Sequence, residues 1–165
     1  MMHVISLLVE NHQGVLARIS GLFSGRGYNL ESITVGATTD PTVSRITLAC
    51  GGDDLKIDQI KKQLNKLIDI ITLTDLTKKS TVSRELALIK VSAKPEKRGE
   101  IIEIADVFRA EVMDVGTDSL VLELRGSSQK IDDFTALLQD YNILEMARSG
   151  LVSIERGKKI KMRKT

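Results

Sequence analysis

The sequence predicts an α+β chain of two tandem ferredoxin-like βαββαβ domains, each an antiparallel sheet with both helices on one face. Three observations carry that reading. Apolar runs of strand length alternate with stretches whose apolar residues recur at helical spacing. The order strand, helix, strand, strand, helix, strand occurs twice at about equal length, although the letters do not repeat. A polar, charged stretch, KKSTVSR, links the two halves, and the division falls after residue 78, giving domains over 1–78 and 79–165.

In the first half, HVISLLV is an apolar run of strand length closed by the polar ENHQG. From Val15 the period changes: Val15, Leu16, Ile19, Leu22 and Phe23 mark one helix face. SGRG stops that helix, with Gly25 and Gly27 as candidate caps. NLESITVGAT reads as a strand with Ile33, Val35 and Ala37 on one face, and TDPT as a turn around Pro41. VSRITLAC follows as the second arm of a hairpin. Asp53 or Asp54 can cap the next helix, whose stripe is Ile57, Ile60, Leu64 and Leu67, and DIITLTDLT closes the set as a strand.

The second half begins with the strand RELALIKVSA, broken at Pro95. Ile101, Ile104, Ala105 and Phe108 mark a helix. AEVMDVG and SLVLELRG are strands around a turn at Gly116–Asp118. Ile131, Phe134, Leu137, Leu138 and Tyr141 mark the last helix, and ILEMARSGLVSIERG offers one final strand. A four-stranded sheet with helices on one face leaves its other face bare, so oligomerisation is expected.

Composition narrows the function classes. Hydrophobic residues make up 42% of the 165 residues and aromatic ones 3%, so the cores must be aliphatic. The last ten residues, RGKKIKMRKT, hold six basic side chains; removing these from the 24 in the chain leaves 18 against 22 acidic ones, a net of −4. A basic tail suits an acidic partner surface, but a solvated terminus is the plainer expectation. The lone Cys50 rules out a disulfide framework within the chain and reads as a buried strand cysteine. No apolar run approaches the ~20 residues of a membrane span. MMHVISLLVENHQG lacks the basic start of a signal peptide, so a cytoplasmic location is expected.

Catalytic chemistry finds few carriers. The chain has two histidines, His3 and His12, and no spacing that resembles a zinc or iron site. GLFSGRG falls at a helix end and not between a strand and a helix start, so it is no dinucleotide fingerprint. No nucleophile–base arrangement stands out.

Ligand binding is better served. ENHQGVL carries the chain from a strand into a helix, whose first turn presents unpaired N–H groups and a positive dipole end. Gly14 allows close approach to the backbone. Asn11 offers a donor and an acceptor, matching the ammonium and carboxylate of a free amino acid. Asn29 and Ile33 begin the neighbouring strand and could complete a site for a zwitterion with an apolar side chain. The same residues also fit a tight turn and a helix start with no ligand at all.

The stretch ISLLVENHQGVLARISGLFSGRGYNLESITVGATTDPTVSRITL resembles the N-terminal ACT domain of the small, regulatory subunits of acetohydroxyacid (acetolactate) synthase. SRELALIKV is similar to the start of their second half, and the resemblance covers essentially the whole chain. It implies a non-catalytic subunit that activates a large subunit carrying thiamine diphosphate, magnesium and FAD, and that confers feedback inhibition by valine in branched-chain amino-acid biosynthesis. It further implies a homodimer through side-by-side ACT domains, with the effector at their seam. One protomer would give Asn11, His12, Gln13, Gly14, Val15 and Leu16, and the other Asn29, Leu30, Glu31, Ser32 and Ile33. The second half has Pro95 and Glu96 in place of the glycine turn, so no equivalent site is expected there. No metal site, nucleic acid or membrane is implied for this chain.

The same element order builds RNA-binding modules, but these stack bases on sheet aromatics, which the predicted strands nearly lack. An acylphosphatase-like enzyme would need an arginine in ENHQGVL, which has none. A free-standing amino-acid sensor acting on another enzyme or on transcription remains the alternative; no helix-turn-helix is visible.

Overall fold

The computed structural model describes residues 1–25 and 28–157. It divides into two units, Met1–Val82 with the segment from Leu151, and Ser83–Gly150. The sequence division after residue 78 follows a different line, because it leaves the last segment with the second half. Gly27 and the tail from residue 158 lie outside the described residues.

The first unit runs β1 (Met2–Glu10), α1 (Val15–Ser24), β2 (Leu30–Ala37), β3 (Val43–Gly51), α2 (Asp54–Leu64) and β4 (Ile70–Asp75). Its sheet has the order β2-β3-β1-β4, so β1 is central and antiparallel to both neighbours. One face of β1 and β3 supplies Ile5, Leu7, Val9, Ile46, Leu48 and Cys50, and α1 and α2 cover it with Val15, Ile19, Phe23, Ile57, Ile60 and Leu64. Leu16, counted in the α1 stripe, is 45% exposed. Asp53 caps α2 by accepting from the Lys56 N–H at 2.8 Å. Cys50 is fully buried, and burial pushes its thiol up to about 11.

The second face of this sheet is not bare. Ser6, Leu8, Val43, Thr47 and Ala49 are all buried. The segment from Leu151 returns to this sheet, where the Leu151 N–H donates to Ser32 Oγ at 3.4 Å and Ser153 is buried. The predicted final strand is therefore two strands, β8 (Ile143–Arg148) and β9 (Val152–Glu155). They part at Gly150, whose φ of 78° no regular strand adopts. Just past β9 the Arg156 N–H donates to the Ser80 carbonyl at 2.9 Å. In β2, the expected face of Ile33, Val35 and Ala37 holds only in part. Ile33 packs on the core, but Val35 is 45% exposed because β2 is an edge strand and the helices do not reach over it.

The second unit repeats the order with β5 (Thr81–Ser92), α3 (Pro95–Phe108), β6 (Glu111–Val115), β7 (Ser119–Gly126), α4 (Ser128–Leu138) and β8, in a sheet ordered β6-β7-β5-β8. Ala87, Ile89 and Val91 take the places of Ile5, Leu7 and Val9. These smaller strand residues are offset by two rings, Phe108 and Phe134, whose centroids lie 5.1 Å apart. Tyr141, counted with α4, belongs instead to a 3₁₀ turn over Gln139–Tyr141. No helix among the described residues is long and apolar enough to cross a membrane.

Leu48 has no exposed surface and lies at the centre of the first core. Leu48→Ala is expected to destabilise the first unit by about 2–5 kcal/mol, read as a lowered denaturant midpoint. An unchanged midpoint would contradict the packing described. Asp75 offers a pH test. Burial raises its carboxyl, but hydrogen bonds from Lys61 Nζ (2.9 Å) and from Thr77 outweigh burial and bring it down to about 2. A depressed carboxyl stabilises the fold above its unfolded value of ~3.9 and loses that contribution as pH falls toward the folded value. The melting temperature is expected to drop between about pH 4 and pH 2, and less steeply in Asp75→Asn.

Candidate functional site

The corner between β1 and α1 is built by a change of backbone. β1 ends at Glu10, opposite Val43. Asn11 then ties the chain to the β2–β3 turn, its N–H donating to the Thr42 carbonyl at 2.8 Å and its Nδ2 to the Pro41 carbonyl at 2.9 Å. One of the two side-chain N–H groups of Asn11 is thus spent on the turn, and Oδ1 and the second N–H are what it can offer a ligand. Gly14 takes φ 86°, a left-handed value that favours glycine, and stands at the N-cap of α1. It has no side chain with which to cap, and the first turn of α1 holds no acidic residue. The opening N–H groups of α1 therefore face outward at the positive end of the helix dipole, an arrangement suited to a carboxylate. A Cβ added at Gly14 would lie 3.1 Å from Arg18 Nη1, so a side chain there meets both backbone strain and a guanidinium. Val15 turns into the core, whereas Leu16 stays at the surface beside the corner.

Two residues of this corner were missed from the sequence. Arg18 donates from Nε to Asp69 Oδ2 at 2.7 Å and from Nη2 to Oδ1 at 3.0 Å. Asp69 is 3% exposed. The Arg18 hydrogen bond holds the Asp69 carboxyl below the usual carboxylate range against the opposing effect of desolvation, and the positive charge of Arg18 adds to it, as does that of His12 when protonated. His12 places Nε2 3.1 Å from Asp69 Oδ1 and 3.3 Å from Glu10 Oε2. Glu10, His12 and Asp69 bring one donor atom each within 4.8 Å, yet Asp69 is already engaged by the Arg18 cation, which opposes a metal there. A signal existed in the sequence. Asp69 interrupts the apolar run LIDII, and a carboxylate buried among apolar residues needs a charged partner.

The other predicted group lies elsewhere in the same chain. Asn29 Nδ2 donates to Glu31 Oε1 at 2.8 Å. Leu30 opposes Cys50, a bulge follows it, Ser32 Oγ accepts from Leu151, and Ile33 packs at the edge of the core. From Cys50 to Val43, β3 advances seven steps, roughly 23 Å at the usual strand rise. One chain thus gathers Asn11–Leu16 at one end of its sheet and Asn29–Ile33 at the other.

The corresponding corner of the second unit is built differently. α3 opens with Pro95, which has no N–H, after Lys94 at φ −59°. Arg98, the fourth residue of its helix as Arg18 is of α1, donates to the carbonyls of Ala93, Gly116 and Thr117 at 3.2, 2.9 and 2.8 Å. A separate cleft of about 360 Å³ in the first unit is lined by His3, Lys61, Asp75 and Lys78 among others. Its lysines are held by carboxylates: Lys61 by Asp58 and Asp75, Lys78 by Asp54, and Lys79 by Glu155.

Comparison with known proteins covers both units. The family model of the acetohydroxyacid synthase small subunit-like ACT domain matches residues 5–72, and that of the small subunit of acetolactate synthase matches residues 84–157. The acetolactate synthase small subunit of Mycolicibacterium smegmatis is 48% identical over 155 residues, spanning 94% of this chain and 91% of the relative. That of Haemophilus influenzae is 43% identical over 160 residues, 96% and 98% of the two chains. The crystal structure of the small subunit from Thermotoga maritima matches with a TM-score of 0.87 at 36% identity, over 96% of this chain and 99% of that one. With both halves matched and the fold shared along nearly the whole length, the chain belongs to the acetolactate synthase small subunits.

Proposed function

We propose that this chain is a regulatory subunit that binds valine at a seam between two copies of its first unit, activates the catalytic large subunit and makes it subject to feedback inhibition. The observation that carries the reading is the uncapped start of α1 at Gly14, together with the distance between the two predicted residue groups. No single chain can close the site. β2 is an edge strand, and Val35 and Ala37 are exposed along it. If two β2 strands pair antiparallel about a two-fold axis, the start of one meets the end of the other. The end of β2 at Ala37 opposes Ser44, and nearby Thr42 holds Asn11. Such pairing carries one protomer's Asn29–Ile33 to its partner's Asn11–Leu16.

Each part of valine then has a counterpart. The carboxylate accepts from the first N–H groups of α1 and from the second amide N–H of the partner's Asn29, the ammonium donates to Asn11 Oδ1, and the isopropyl group rests on Leu16 and the partner's Ile33. A site made of two chains is sensitive to their arrangement. An effector that prefers one arrangement shifts the population toward it, with coupling of typically ~1–3 kcal/mol. The large subunit, which supplies the chemistry with thiamine diphosphate, magnesium and FAD, would read that arrangement through its contact with the pair.

The direct test reconstitutes the chain with an acetolactate synthase large subunit, with and without valine. Gly14→Asp is expected to abolish valine inhibition while activation persists; a fully valine-sensitive Gly14→Asp complex would sink the site. Asn29→Ala is expected to weaken valine binding roughly two- to tenfold, the range for a lost hydrogen bond. Calorimetry giving equal affinities would remove Asn29 from the site.

A further inference from the structure

The ring of His12 is surrounded by acceptors. Nδ1 lies 3.0 Å from the Gln13 carbonyl, and Nε2 faces Asp69 Oδ1 at 3.1 Å and Glu10 Oε2 at 3.3 Å. A neutral imidazole carries one N–H and would aim its other lone pair at an oxygen. The imidazolium satisfies both nitrogens at once. The charged groups around it come from three elements: Glu10 at the end of β1, Arg18 on α1, and Asp69 between α2 and β4. Asp40, in the neighbouring β2–β3 turn, is engaged by the Thr42 N–H at 2.9 Å and hydroxyl at 2.6 Å. Asp69 is thus the buried point on which the loop converges. Arg18 grips it from the helix side, with Nη1 close beneath Gly14, and His12 reaches it from the loop side. The Glu10 N–H also donates to the Asp69 carbonyl at 3.0 Å, which locks the backbone to the same residue.

We propose that Asp69 is the positioning residue of the Gly14 corner and that it holds the loop fully only while His12 is an imidazolium, so that binding of a small α-amino acid there is coupled to proton uptake by His12. The proposal rests on the reading of this corner as the effector site. Histidine ordinarily changes charge near neutral pH. Deprotonation leaves a single N–H: kept on Nε2 it still reaches Asp69, but as a neutral hydrogen bond roughly half as strong as the charge-assisted one, and it turns the Nδ1 lone pair on the Gln13 carbonyl, so the loop is held less firmly. The ligand needs the first turn of α1 and the Asn11 amide in fixed register, so it binds the clamped loop better. By linkage, binding then draws a proton from solvent onto His12, and a higher pH weakens binding. The ammonium of a free amino acid sits beside its own carboxylate and stays protonated to higher pH than a peptide N-terminus, so valine keeps both charges across the neutral range.

The test is calorimetry of the full-length chain with valine at about pH 6 and about pH 8, in buffers of differing ionisation enthalpy. The parent protein is expected to bind several-fold more weakly at the higher pH, with a buffer-dependent heat that reports proton uptake. His12→Gln keeps a polar side chain that does not titrate, and should lose both the pH dependence and the uptake. Asp69→Asn should bind weakly at both pH values; if it fails to fold, His12→Gln alone decides. A parent affinity that does not change with pH, or uptake that survives in His12→Gln, overturns the clamp and leaves the effector site standing. Absence of valine binding at either pH overturns the effector reading and the clamp with it.

Discussion

The first unit depends on β1 being buried along both edges and both faces. It shares hydrogen bonds with β3 on one side and β4 on the other, and Ile5, Leu7 and Val9 fill the space under the helices while Ser6 and Leu8 are buried opposite. At about 1.5–3 kcal/mol for each large apolar side chain fully removed from water, this strand anchors the core. It also sets the position of everything after it. The chain leaves the sheet at Glu10 and must turn sharply onto the helix layer, and it is this turn that puts a left-handed glycine at the head of α1.

The two units show how one topology is turned to two ends. Both place an arginine at the fourth position of the helix that follows the first strand. Arg18 finds a buried carboxylate, whereas Arg98 finds three backbone carbonyls of its own unit. The first helix opens on glycine and leaves its N–H groups available; the second opens on Pro95 and removes one of them. A corner with open N–H groups and a closed corner thus differ by a few residues on nearly the same backbone path.

The exposed edge at β2 follows the same economy of means. An edge strand with unpaired backbone groups is a hazard unless a partner covers it. Here it runs between the two groups of residues that one chain keeps far apart, so in the proposed dimer covering the edge and completing the site would be a single event.

Much of this was legible in the residues. The change of apolar period at Val15, the cap at Asp53, the turn at Pro41 and the duplicated element order all follow from side chains within a few positions of one another, where sterics and hydrogen-bonding capacity act locally. Gly14 and Asn11 stood out for the same reason. The tertiary structure alone decided the rest. Arg18 and Asp69 are 51 residues apart in the chain, and no local rule pairs them until β4 is laid beside β1. The covered second face, the break at Gly150 and the separation of Asn29 from Asn11 depend likewise on where distant strands come to rest. Periodicity tells a side chain which face to take, and only the closed sheet tells it whom it meets there.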